Sequence, residues 1–206
     1  MTHILLTGYE PFGDHETNPS ATVTESLDGM ALGGATVVGR ELPVVFDEAL
    51  PRVRSLIDTH DPVAILSTGL MPERRVLTVE RTGINVRDCD DVPDNDDQRP
   101  VDQPVVADGP DAYFATLPVK RLVAAAREAS VPARVSNTAG THLCNNILYA
   151  TRHHVATNDL GILSGFVHVP YSHAQAARRT DPVSSLSVDA MERGIAEMLR
   201  VLADEA

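Results

Sequence analysis

Ser136-Asn-Thr-Ala-Gly-Thr-His-Leu-Cys-Asn-Asn-Ile-Leu-Tyr149 is the stretch whose reading decides the fold. A strand-like pair, Arg134 and Val135, leads into it, a glycine-containing loop follows, and an apolar-periodic helix begins close to Cys144. A thiol in that place meets unpaired backbone N–H groups and the positive end of the helix dipole, both of which favour thiolate. The same N–H groups can steady an oxyanion formed beside the sulfur. The local geometry therefore suggests a nucleophile.

The strand–loop–helix alternation recurs on both sides of this run. Residues 3–8 read as a buried strand turning at Gly8, and residues 9–20, with Pro11, Gly13, Asn18 and Pro19, as a loop before a short helix over 20–27. A second strand is predicted over 35–45. Asp47 is expected to cap the next helix, in which Leu50, Val53, Leu56 and Ile57 recur at helical intervals up to Asp61-Pro62. Residues 63–68 form a third buried strand, with Gly69 opening a loop. Residues 75–85 alternate and read as one extended ribbon. Residues 88–110 are rich in Asp, Pro and Gln. A loop that long suits a lid or an oligomer contact, a plain solvated loop being the ordinary alternative. Helices are predicted from Pro118 to 130 and after the cap Ser187, with a buried strand over 160–169 between them. The pattern predicts one domain over residues 1–206: an α/β, three-layer α/β/α sandwich with a mostly parallel, mixed central sheet.

Composition narrows the function. The 206 residues carry a formal net charge of −12, and Lys120 is the only lysine. An acidic, lysine-poor surface fits adaptation to high salt, the alternative being an acidic protein of ordinary habitat. Nucleic acid is excluded as a partner for want of a basic footprint. No apolar run reaches membrane-spanning length, and the N-terminus enters a strand with no basic region or cleavage pattern. No membrane association and a cytoplasmic location are therefore expected. Cys89 and Cys144 are the only cysteines, and neither a structural disulfide nor a zinc site is expected from their spacing.

A cysteine nucleophile needs a base and a group to orient it. His168, in Gly165-Phe-Val-His-Val-Pro170, stands at the end of a buried strand, where such groups collect in α/β sheets. Glu80, in Thr78-Val-Glu-Arg-Thr-Gly-Ile-Asn85, is a carboxylate in an otherwise apolar ribbon and needs a hydrogen-bonded partner there. Each residue alone also has an ordinary role: a small core residue for Cys144, a satisfied strand-end histidine for His168, and a surface pair with Arg81 or another arginine for Glu80. Gly-x-Gly-x-x-Gly, the phosphate-binding Gly-x-x-x-x-Gly-Lys loop and Gly-x-Ser-x-Gly are all absent.

Five blocks in order carry a resemblance over nearly the whole chain. They are Ile4-Leu-Leu-Thr-Gly-Tyr-Glu-Pro-Phe-Gly13 with Asn18-Pro19-Ser20, Glu80-Arg81 with Asn85, Pro93-Asp94-Asn95, Ser136 to Asn145, and Gly165 to Pro170. Together they resemble the pyroglutamyl peptidase I family of cysteine peptidases. The resemblance implies a triad of Glu80, Cys144 and His168 that removes N-terminal pyroglutamate from peptides. No metal or organic cofactor is implied. It also implies a largely apolar lactam pocket touching Tyr9, Phe12, Asn18, His142 and Leu143, and a homo-oligomer, often a tetramer.

The chain departs from the family pattern in four places. Pro72-Glu73-Arg74 stands where the family often has Gly-Gly-Arg, and His142 where a phenylalanine is usual. Asp91 replaces an arginine, and Asp14 a common second glycine. These leave the triad whole and bear on substrate preference. Two alternatives follow: a thiol amidohydrolase of altered N-terminal specificity, and a non-catalytic peptide-binding homologue.

Overall fold

The structure, a computed structural model, describes residues 2–89 and 92–205. The elements in chain order are β1 (Thr2–Tyr9), α1 (Pro19–Ser26), β2 (Ala31–Leu32), β3 (Ala35–Leu42), α2 (Phe46–His60), β4 (Pro62–Leu70), β5 (Leu77–Glu80), β6 (Thr82–Ile84) and β7 (Ala112–Phe114). They continue with α3 (Val119–Glu128), β8 (Ala133–Ser136), α4 (Leu143–Thr157), β9 (Leu163–Val169), β10 (Tyr171–Ser172), α5 (His173–Ala176), β11 (Ser185–Leu186) and α6 (Val188–Ala203).

Seven strands form the central sheet in the order β2-β3-β1-β4-β9-β5-β8. Strands β3, β1, β4 and β9 run parallel, β2 is antiparallel to β3, and β5 is antiparallel to β9 but parallel to β8. The sandwich is thus α/β with a mixed, mostly parallel sheet, as the alternation predicts. The period of two along each strand divides the core. Ile4, Leu6, Ala64, Leu66, Leu77, Val79, Val167 and Val169 face α1, α3 and α6. Leu5, Ile65 and Phe166 face α2 and α4. Counting on by twos puts Tyr9, Gly69, Thr78, Glu80 and His168 on this second side, beneath α4.

Several local expectations are corrected. α2 is preceded by Val45 with no side-chain cap, and Asp47 lies inside its first turn. The cap comes from a distance: Asp94 Oδ2 accepts from Phe46 N at 2.9 Å. Sequence proximity favoured Asp47, but only a loop folded back onto the helix start delivers an oxygen at the right angle. β4 continues through Gly69 to Leu70, because both faces of the strand are covered there. The predicted ribbon over 75–85 is two strands: β5 joins the main sheet, and β6 pairs with β7, which the sequence reading missed. The described parts of the segment 88–110 are docked on the body of the protein. Asp88 N donates to Thr141 O at 3.0 Å, and Asp94 Oδ1 accepts from Asp96 N and Gln98 N at 3.0 and 2.9 Å. Asp91 lies outside the described residues.

Candidate active site

His168 occupies the penultimate position of β9, opposite Gly69 of β4 and Thr78 of β5. Glu80 is two residues beyond Thr78 on the same face, so its side chain reaches His168 diagonally across the antiparallel pair. The contact is close: His168 Nδ1 donates to Glu80 Oε1 at 2.8 Å, and both side chains are fully buried. Two further donors converge on the same oxygen, Thr78 Oγ1 at 3.2 Å and Arg74 Nη2 at 3.3 Å. Arg74 also bonds Ser136 Oγ and Thr138 O at 3.1 and 2.8 Å, which ties the loop after β4 to the loop before α4. Glu80 Oε2 and His168 Nε2 are buried and make no hydrogen bond among the described residues.

The sequence reading offered Arg81 or another arginine as the alternative partner of Glu80, and Arg74 is such an arginine, although Glu80 itself is buried rather than at the surface. Adjacent strand residues point to opposite faces, and Arg81 instead donates to Asn137 Oδ1 at 2.9 Å. Arg74 was visible only as part of an unusual loop. Its role depends on how the loop folds back over β5, which spacing alone does not encode.

Cys144 is the second residue of α4 and is half-buried. The first-turn N–H groups of an α-helix have no partner within it. His142, at the cap position, supplies no side-chain bond to them. They remain available for a developing negative charge. The pull of the helix start toward thiolate is opposed by burial. Burial pushes the Cys144 thiol up to about 12, the Glu80 charge adds to this, and only the residue's own backbone N–H opposes it. Burial also holds His168 below the usual imidazole value, against the raising contact with Glu80. Both shifts favour the neutral thiol and the neutral imidazole, a pair suited to proton transfer during attack rather than before it.

A cavity of about 990 Å³ opens over Cys144. Tyr9, Phe12, Asn18, His142 and Leu143, the five residues implied for the pocket, all line it, as do Val44, Leu70 and Val92. Tyr9 Oη donates to Leu143 O at 2.9 Å, and burial keeps that hydroxyl protonated by raising its pKa well above the ordinary value. The Asn18 amide is already engaged: Oδ1 accepts from Ser20 N and Oγ, and Nδ2 donates to Glu10 O. It shapes the wall and caps α1. Of Glu80, Cys144 and His168, only Cys144 lines this cavity, and none lines another hollow of about 610 Å³ beside Arg81, Leu117 and Lys120. Among the described residues, no cluster of three or more His, Cys, Asp or Glu is placed to hold a metal ion. No helix is long and apolar enough to cross a membrane.

The family description "Pyroglutamyl peptidase" matches residues 2–205. The chain belongs to the pyroglutamyl peptidase family. It is 44% identical to a pyrrolidone-carboxylate peptidase of Escherichia fergusonii over 195 residues, covering 95% of this chain and 90% of that protein. It is 39% identical to the enzyme of that name from Coprothermobacter proteolyticus, covering 99% and 98%. Among solved structures, a mutant pyrrolidone carboxyl peptidase from Pyrococcus furiosus superposes with a TM-score of 0.95 at 35% identity, covering 99% of each chain. The pyrrolidone carboxyl peptidase of Thermococcus litoralis gives 0.95 at 33% identity, covering 99% and 94%.

Proposed function

We propose that this protein is a cysteine exopeptidase that removes pyroglutamate from peptide N-termini. The observation that carries the reading is the Glu80–His168 contact of 2.8 Å beneath α4, which occupies Nδ1 and leaves Nε2 as the free nitrogen of the ring. In the reaction, Nε2 takes the Cys144 proton as the sulfur bonds to the acyl carbon of the pyroglutamyl residue. The oxygen becomes an oxyanion, held by N–H groups at the start of α4. Collapse breaks the C–N bond, and Nε2 returns the proton to the departing amine. Water, deprotonated by the same nitrogen, then attacks the thioester and frees pyroglutamate and the thiol. Glu80 holds the imidazole tautomer and balances its transient positive charge.

The test is hydrolysis of a pyroglutamyl-coupled fluorogenic amide by wild type and Cys144→Ala over a range of salt concentrations. Activity is expected in the wild type and none in the variant, at unchanged circular dichroism. Full activity in the variant would end the assignment of the nucleophile.

Three further readings belong with this proposal. The chain acts as one domain over residues 1–206. Its acidic, lysine-poor composition supports work at high salt in the cytoplasm. Ile84 and Phe114, the latter 70% exposed on the β6–β7 hairpin, support an interface between copies, which light scattering tests.

A further inference from the structure

A tight turn follows β4 at the edge of the cavity over Cys144, and it carries Glu73. The residues implied for the lactam come from the end of β1, the loop after it and the start of α4. Met71, Pro72 and Glu73 line the cavity from another side. β4 runs beside the catalytic base: Gly69 pairs with His168, Leu70 with Val169, and Met71 N donates to Val169 O at 3.0 Å. On the mechanism above, His168 Nε2 protonates the departing amine. The peptide beyond the pyroglutamyl residue therefore starts beside His168 and meets the turn that continues the neighbouring strand.

That turn is held firmly. Arg74 N donates to Met71 O at 3.0 Å, closing it around Pro72 and Glu73. The proline ring fixes φ at the first of the two central positions. Arg74 anchors the far end through Glu80 Oε1, Ser136 Oγ and Thr138 O. Glu73 itself is exposed, and its carboxylate makes no hydrogen bond or ion pair among the described residues. Its charge reaches His168, whose pKa it raises against the larger effect of burial.

The other charges at the cavity are already engaged. Asp88 Oδ2 accepts from Asp102 N at 3.4 Å. Asp14 and Arg179 act on His15 with opposite signs, and the Arg179 guanidinium lies 5.6 Å from the centre of the Tyr171 ring. Arg74 is turned to Glu80, and Arg75 does not line the cavity. Glu73 is the carboxylate left free beside the leaving group. On the peptidase reading above, we propose that Glu73 pairs with a cationic side chain on the residue that follows pyroglutamate, so that peptides with lysine or arginine in that place are preferred.

The experiment measures kcat/KM by chromatography for the amides of pyroglutamyl-lysine, pyroglutamyl-norleucine and pyroglutamyl-glutamate, at one pH and at the lowest salt that keeps the enzyme active. Norleucine keeps the carbon stem of lysine and lacks the ammonium. Wild type should prefer lysine to norleucine by about threefold, as a solvent-facing ion pair allows. Its preference for lysine over glutamate should reach about tenfold, since attraction is exchanged for repulsion. Glu73→Gln should bring lysine and norleucine level, and Glu73→Lys should favour glutamate over lysine. A change in folding or in His168 ionisation scales all three rates together and leaves the ratios alone. A wild-type lysine–norleucine ratio of one or below, or a ratio that survives Glu73→Gln, overturns the inference and leaves the peptidase reading intact. If wild type cleaves none of the three amides at any salt concentration, the peptidase reading fails and this inference with it.

Discussion

Replacing Gly69 with alanine probes the site through a single methyl group. Gly69 sits in β4 beside His168, on the face beneath α4. A Cβ there would lie 2.8 Å from Cys144 Sγ, 2.8 Å from Phe166 Cζ and 3.4 Å from Tyr9 Cδ2. Comfortable contacts are about 3.5–4.0 Å, so the sulfur and the ring each need roughly 1 Å more room. Neither can yield easily: Phe166 is fully buried and Cys144 is fixed by the helix start. Gly69 does not adopt the left-handed backbone conformation, so the effect is steric alone. Overpacking of this kind costs about 1–3 kcal/mol of stability. A sulfur moved by about 1 Å from its line of attack loses on the order of a hundredfold in kcat. The assay is kcat and KM on the pyroglutamyl amide, with thermal melting measured alongside. Wild-type kcat in Gly69→Ala, whatever happens to the melting temperature, would refute the reasoning, because the sulfur would then not rest against this strand in the working enzyme.

The ionisation states carry two further predictions. Alkylation of Cys144 by iodoacetamide, followed by mass spectrometry, should still accelerate above pH 10, since burial places the thiol near 12. A plateau at about pH 8.5, the value of an ordinary thiol, would show that the resting sulfur is not desolvated. Burial is also the first cause lowering the pKa of His15, His142, His154 and His168. The unfolded chain takes up these protons at about 6.5 while the folded one resists, so stability should fall as pH drops below that value. The urea midpoint at fixed salt should be lower at pH 5.5 than at pH 7.5, and equal midpoints would contradict the shifts.

Much of the fold was legible because apolar periodicity survives in a chain with both sheet faces covered. β1, β4 and β9 read as buried runs, and Ser187 was recognisable as a cap, its side chain accepting from Ala190 N at 3.2 Å. Glu80 and His168 stood out as residue types in context, and the structure brings the two into contact. What failed were features set by distant segments. Asp94 caps α2 from 48 residues away, and Arg74 reaches Glu80 only after its loop folds over β5. β6 and β7 are three residues each, too short for alternation to separate them from loop. The surroundings of the thiol were hidden for a related reason. A helix start is written in the sequence, but the depth at which the sulfur lies is a product of tertiary packing.

The two bare atoms at the site, Glu80 Oε2 and His168 Nε2, bear on how this protein could be hardened against heat. Polar atoms sealed away from water without partners weaken an interior, and apolar side chains of similar bulk would relieve that weakness. Selection for endurance alone would therefore favour erasing the Glu80–His168 pair while leaving the sandwich intact. The fold can outlive its chemistry, and sound folding in an engineered relative says nothing about whether it still cuts peptides.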